Sequence, residues 1–190
     1  IQYGTSFAYP ISSIGAHVSA CPNHQLKRMT PLNTRFNVAC FGAFGYEMDL
    51  SKLSKEETEE IKQQVIFMKQ YRHLIQYGTF YRLVSPFEGN TMAWMIVSSD
   101  QKHAIVGYYK ILQSVMAPFQ RLYLQGLDPD KKYRINTSKE GVYGDELMCC
   151  GMVVSDASCG ENEEVYNGRN GDFQSRLYVL ESEDESDEKI

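Results

Sequence analysis

The chain has 190 residues, 43% of them apolar and 23% charged, an ordinary globular balance that excludes a disordered or fibrous polypeptide. A formal net charge of -5 argues against a nucleic-acid partner, because neutralising phosphates needs clustered Lys and Arg. No apolar run approaches the roughly 20 residues of a membrane span, so no membrane partner is expected either. Ile1–Ser19 lacks the basic leader and apolar run of a secretory signal. The first residue is Ile, and the opening residues read like the middle of a domain, as expected of a processed chain or a piece of a longer one. The five cysteines, Cys21, Cys40, Cys149, Cys150 and Cys159, are odd in number and scattered, with two adjacent. That pattern predicts reduced thiols and a cytoplasmic location rather than a disulfide framework.

In chain order, Ile14–Ser19 reads as a short buried strand, Pro22 and Asn23 open a loop that lasts to about Pro31, and Thr34–Asp49 reads as a helix. Ala39, Gly42, Ala43 and Gly45 lower the intrinsic stability of such a helix and fit close packing against another element. A strand, a loop and a helix form one βα unit, which cannot bury both its faces alone. Residues 54–77 hold an amphipathic linking helix. Ser54 followed by Glu57 is a capping box, and Ile61, Val65, Met68 and Ile75 form a stripe at helical spacing. Acids crowd its start and Lys69, Arg72 and His73 its end, as the helix dipole favours.

From Gly78 to Leu180 the pattern changes to antiparallel β: Phe80–Val84, Met92–Val97, Ala104–Leu112, Arg121–Leu127, Lys131–Asn136 and Arg176–Leu180. Leu127-Asp128-Pro129-Asp130 is a turn by residue chemistry. Short strands at this spacing predict a sandwich of two sheets. Residues 181–190 read as a disordered acidic tail. Ile1-Gln2-Tyr3-Gly4-Thr5 recurs as Ile75-Gln76-Tyr77-Gly78-Thr79, but the flanks differ, so this is coincidence rather than a repeat.

Candidate chemistry is sparse. His17, Cys21 and His24, with Cys40 further on, are possible zinc ligands without a second pair at finger spacing. Cys21 with His24 is a candidate thiol nucleophile and base, but no orienting partner is evident. Packing of a strand histidine beside a fixed loop is the favoured reading, and core packing is favoured for Trp94. A glycosidase needs two carboxylates flanking the scissile bond. The acids here sit at helix ends, in scattered loops or in the tail, so no catalytic residue, metal ligand or cofactor site is nominated.

Several motifs carry a resemblance. Gln2-Tyr3-Gly4-Thr5-Ser6-Phe7-Ala8-Tyr9-Pro10, Gly15-Ala16-His17-Val18-Ser19-Ala20, Pro22-Asn23-His24-Gln25, Arg28, Thr30-Pro31-Leu32, Thr34-Arg35 and Phe44-Gly45-Tyr46-Glu47-Met48-Asp49-Leu50 resemble the bacterial α-galactosidases of glycoside hydrolase family 36. So do Gly126-Leu127-Asp128-Pro129, Tyr133-Arg134 and Gly144-Asp145-Glu146-Leu147-Met148.

The resemblance implies a mixed fold: the last βα piece of a (β/α)8 barrel over residues 1–53, a linking helix over 54–77, and a C-terminal antiparallel β-sandwich over 78–180. It implies a retaining hydrolase of terminal α-galactosides, melibiose and raffinose-type sugars, with one Asp as nucleophile and a second as acid/base. Neither Asp motif of the family occurs in this chain, so the segment itself is expected to be inactive and accessory. What carries over is candidate active-site support: His17 and Ser19 near the end of a barrel strand, and Cys21, Asn23 and His24 in the loop that follows. The implied partners are the rest of the barrel, the galactoside substrate and further copies in a homo-oligomer, with no cofactor. Phe41, Phe44, Ile61, Val65 and Met68 are expected to pack against the barrel parts outside this chain. The alternative is a non-catalytic carbohydrate-binding or assembly module.

Overall fold

Two parallel strands organise the N-terminal part of the chain. The computed structural model describes residues 1–114, 120–154 and 172–183, and the chain divides into units Ile1–Tyr77 and Gly78–Ile190. In the first unit a short helix α1 (Gln2–Thr5) leads to strand β1 (Gly15–Ser19), helix α2 (Leu32–Ala39), strand β2 (Ala43–Glu47) and the long helix α3 (Lys55–Tyr77). β1 and β2 pair in parallel, Gly15 opposite Ala43 through Ser19 opposite Glu47. A parallel pair needs a crossover between its strands, and α2 supplies it.

The helix expected over Thr34–Asp49 is therefore corrected: α2 ends at Ala39 and a strand follows. Glycine explains the break. A Cβ on Gly42 would meet the Ile14 carbonyl oxygen at 2.7 Å and the Ala16 Cβ at 2.8 Å, so only glycine lets β2 come this close to β1. The Ala43 amide donates to the Ile14 carbonyl at 2.8 Å at the same point. Phe44 and Tyr46 then share one face of β2, alternating with Ala43, Gly45 and Glu47.

Ala16 and Val18 are buried on one face of β1, together with Phe36, Ala39 and Phe41 of this unit. Phe36 meets Phe44 and Phe67 edge to face, at 5.5 and 5.8 Å between centroids. Phe41 and Met68 are thus buried within this chain, contrary to the expectation that they await outside parts.

The capping box of α3 is formed: the Ser54 amide donates to Glu57 Oε2 at 3.0 Å, and the Glu57 amide to Ser54 Oγ at 3.1 Å. The helix runs on to Tyr77, so Lys69, Arg72 and His73 lie inside it and its last turn carries no basic residue.

The second unit is antiparallel. β3 (Thr79–Val84), β4 (Thr91–Val97), β5 (His103–Lys110), β7 (Lys132–Ile135), β8 (Gly141–Tyr143) and β10 (Gln174–Ser182) form a six-stranded sheet in the order β3-β4-β5-β10-β7-β8. β6 (Gln120–Leu122) and β9 (Met152–Val154) pair separately, and helix α4 (Gly144–Cys149) joins β8 to β9.

Strand periodicity sorts the core. Ala93, Met95 and Val97 of β4 and Ala104, Val106 and Tyr108 of β5 cluster with Leu122, Leu124, Leu127, Leu147, Met152 and Val154. The alternate positions Trp94, Ile96, Ile105 and Tyr109 are also buried, and Trp94 Nε1 donates to the Tyr109 hydroxyl at 3.1 Å. The strand expected over Arg121–Leu127 stops at Leu122, with Leu124 and Leu127 buried beyond it.

The tail expectation is corrected at its start. Glu181 and Ser182 pair with Arg134 and Tyr133 in β7. Glu183 accepts from Arg134 Nε at 2.9 Å, an ion pair that draws the acidic segment into the sheet. Residues 184–190 and Cys159 lie outside the described residues.

Candidate functional site

The sequence-predicted site residues lie on β1 and on the loop that follows it. Because side chains alternate across a strand, Gly15, His17 and Ser19 share a face of β1 with Ala43, Gly45 and Glu47 of β2. His17, Ser19 and Glu47 are exposed on it. His17 lies over Gly45: a Cβ there would sit 2.9 Å from His17 Cδ2, so glycine makes room for the imidazole. Ser19 and Glu47 stand opposite each other at the C-terminal ends of the two strands.

The loop that follows β1 is built from its own backbone. The Cys21–Pro22 peptide is cis. Asn23 organises the tip. Its Oδ1 accepts from the amides of Gln25 and Leu26 at 3.0 and 2.9 Å, its amide donates to the Arg28 carbonyl at 3.0 Å, and its carbonyl accepts from the Lys27 amide at 2.8 Å. Cys21, half buried, donates its thiol to Met29 Sδ at 3.8 Å. His24 is exposed. Ser19 thus shares a face with His17, while Cys21 and Asn23 turn inward on the loop and His24 joins neither group. Among the described residues no three His, Cys, Asp or Glu side chains gather to hold a metal ion.

Two features escaped the sequence reading. Arg35 of α2 donates from Nη1 to the Ser19 carbonyl at 2.6 Å and from Nε to the Thr30 carbonyl at 3.1 Å. It was visible only as part of the Thr34-Arg35 motif, because nothing in a lone arginine on a helix announces which carbonyls it reaches. The second is a relay behind the strands. The Tyr46 hydroxyl donates to Gln64 Oε1 and Gln64 Nε2 to Glu60 Oε1, both at 2.9 Å. Burial, and then the Glu60 charge, push the Tyr46 phenol up to about 12. Burial likewise raises the Glu60 carboxyl, against the Gln64 hydrogen bond and the Arg35 charge.

Two acids, Glu47 and Asp49, stand at the end of β2 and just beyond it. Asp49 caps a turn, accepting from the Ser51 hydroxyl at 2.6 Å and its amide at 3.0 Å, which holds its carboxyl below the ordinary range. Glu47 is then the one carboxylate on the face shared by β1 and β2. Glycoside hydrolysis by protein carboxylates needs two, about 5–9 Å apart.

The second unit carries motifs that hold one another. The Tyr133 hydroxyl accepts from the Asp128 amide at 2.9 Å and donates to the Gln101 carbonyl at 2.7 Å. The Gly144 amide donates to the Lys131 carbonyl at 2.9 Å and the Asp145 amide to that of Pro129 at 3.2 Å. The Leu127–Asp130 turn, Tyr133 and Gly144-Asp145 are therefore one structural joint.

Comparison with known proteins agrees with this division. The Melibiase family matches residues 1–78, and the Glycosyl hydrolase family 36 C-terminal domain matches residues 91–180. The chain is 54% identical over 155 residues to the alpha-galactosidase AgaA of Geobacillus stearothermophilus, covering 81% of this chain and 21% of that protein. The crystal structure of an α-galactosidase from Lactobacillus brevis superposes with a TM-score of 0.87 at 44% identity, covering 97% of this chain and 24% of that one. A variant of the Geobacillus AgaA enzyme solved in complex with raffinose gives a TM-score of 0.86 at 46% identity, over 96% of this chain and 24% of that one.

These matches make the chain a glycoside hydrolase sequence. It belongs to family 36 and corresponds to a C-terminal segment of its α-galactosidases. It spans about a fifth to a quarter of the length of these relatives. No helix among the described residues is long and apolar enough to cross a membrane.

Proposed function

We propose that this chain is the accessory C-terminal segment of a retaining α-galactosidase that releases terminal galactose from raffinose-type sugars and melibiose. Residues 1–53 form the last part of a (β/α)8 barrel, 54–77 a linking helix, and 78–180 a C-terminal β-sandwich. The observation that carries this reading is the parallel β1–α2–β2–α3 order: one face of the parallel pair is left exposed, and parallel pairs are stable only when both faces are covered. In a barrel the exposed face points inward, and the ends of β1 and β2 open on the active-site side. His17, Ser19, Cys21, Asn23 and His24 then support the site, while the nucleophile and the acid/base come from barrel strands outside this chain. The same reading places the enzyme in the cytoplasm, supported by the free thiols of Cys21, Cys40, Cys149 and Cys150. It also makes the enzyme a homo-oligomer, as the family resemblance implies. The test is product analysis by NMR with a polypeptide extended through the whole barrel. Galactose released from raffinose first as the α anomer supports the reading; release as the β anomer, or no release, refutes it.

A further inference from the structure

We propose that Arg35 is a positioning residue for the loop of residues 20–31, and that through this loop it sets the affinity for sugar units beyond the terminal galactose. The inference rests on the barrel reading above, where the loop stands at the mouth of the active site.

One planar guanidinium joins both stems of the loop. Nη1 holds the carbonyl of Ser19, the last residue of β1, and Nε holds that of Thr30, two residues before α2 begins. Charge-assisted donors in a fixed fork suit two carbonyls at once, whereas a lysine ammonium is a single point on a flexible stem. Asn23 closes the far end through its side-chain and main-chain bonds. The loop is thus ordered before any ligand arrives, which lowers the entropic cost of binding.

Its outer surface exposes His24, Gln25, Leu26, Lys27 and Met29. Hydrogen-bonding groups interleaved with apolar carbon match the hydroxyl and C–H surfaces of an oligosaccharide. The loop carries no carboxylate, so it lacks the groups that break a glycosidic bond and acts on binding rather than on chemistry.

The test uses the full-length polypeptide with its barrel, as wild type, Arg35→Ala, Arg35→Lys and Asn23→Ala. Steady-state kinetics are measured on raffinose and on p-nitrophenyl α-galactoside, beside trypsin cleavage after the exposed Lys27. For Arg35→Ala, KM for raffinose is expected to rise about tenfold, equivalent to about 1.4 kcal/mol. Its kcat on the aryl galactoside stays within about twofold, because no transition-state contact is lost. Arg35→Lys gives an intermediate KM, and both alanine variants are cut faster after Lys27. An unchanged KM for raffinose, or an equal fall of kcat on both substrates, overturns the proposal. If Arg35→Ala fails to fold, an unchanged ratio of the two KM values in Arg35→Lys and Asn23→Ala overturns it equally. A wild-type polypeptide without α-galactosidase activity refutes the barrel reading instead, and an unchanged rate of cleavage after Lys27 then still shows that Arg35 does not hold the loop.

Discussion

Replacing Gly144 by alanine tests the joint between the Leu127–Asp130 turn and α4. A Cβ at this position would lie 2.1 Å from the Asp128 carbonyl oxygen and 2.9 Å from its carbon, with Tyr133 Cε2 at 3.2 Å. The clashing atoms are backbone, so no rotamer change relieves them. The turn and the helix must separate by about 1 Å, which breaks the bonds from Gly144 to Lys131 and from Asp145 to Pro129. Each such bond contributes about 1 kcal/mol, and overpacking adds about 1–3 kcal/mol, for a total of about 3–5 kcal/mol. For a unit of this size that corresponds to a fall in melting temperature of about 12–20 °C. Gly89→Ala is the control, because nothing lies within 4 Å of its added Cβ. Calorimetric scans of wild type and both variants read the result. A Gly144→Ala chain that melts within about 2 °C of wild type would refute the reasoning.

Three further outcomes follow from single groups. Tyr133→Phe leaves the Asp128 amide and the Gln101 carbonyl without their shared hydroxyl; it should lower unfolding free energy by about 2 kcal/mol in urea titrations, and a loss below about 0.5 kcal/mol contradicts this. Because the fold raises the Glu60 carboxyl, stability linked to it is full below the ordinary carboxyl value and is lost as pH rises through the raised one. Glu60→Gln should therefore raise the melting temperature near pH 7 and change it little near pH 4, whereas a lower melting temperature near pH 7 contradicts the sign. Burial pushes the Cys40 thiol far above its usual range, while Cys149 and Cys150 are exposed; mass spectrometry should find iodoacetamide on the latter two in the native chain and on Cys40 only after denaturation.

Much of this architecture was legible because periodicity and capping are local. The Ser54–Glu57 box and the apolar stripe gave α3, and alternation gave β3, β4 and β5 nearly to their ends. Residues 39–47 misled because small residues fit either a close-packed helix or a close-packed strand. What decided was the Ile14 carbonyl against Gly42, a contact from a distant part of the chain. The three-residue strands β8 and β9 were too short to show alternation, and each is held by its partner. The repeated pentapeptide makes the same point. Gln2–Thr5 is helical, whereas in the second copy Tyr77 ends α3 and Thr79 begins β3.

At the candidate site, His17 and Ser19 could be assigned to one face by strand alternation alone. The role of Asn23 was foreshadowed by its residue type, since Asn side chains accept from amides two and three residues on. Arg35 and the Tyr46–Gln64–Glu60 relay were not legible. Their partners lie on other elements and leave no local pattern.

The most direct measurement is hydrolysis of p-nitrophenyl α-galactoside by the 190-residue chain beside a polypeptide that includes the preceding barrel. Activity in the longer polypeptide alone is the predicted result, because both catalytic carboxylates then lie outside this chain. Activity in the 190-residue chain by itself would contradict the account and would place those carboxylates among residues such as Glu47 and Asp49.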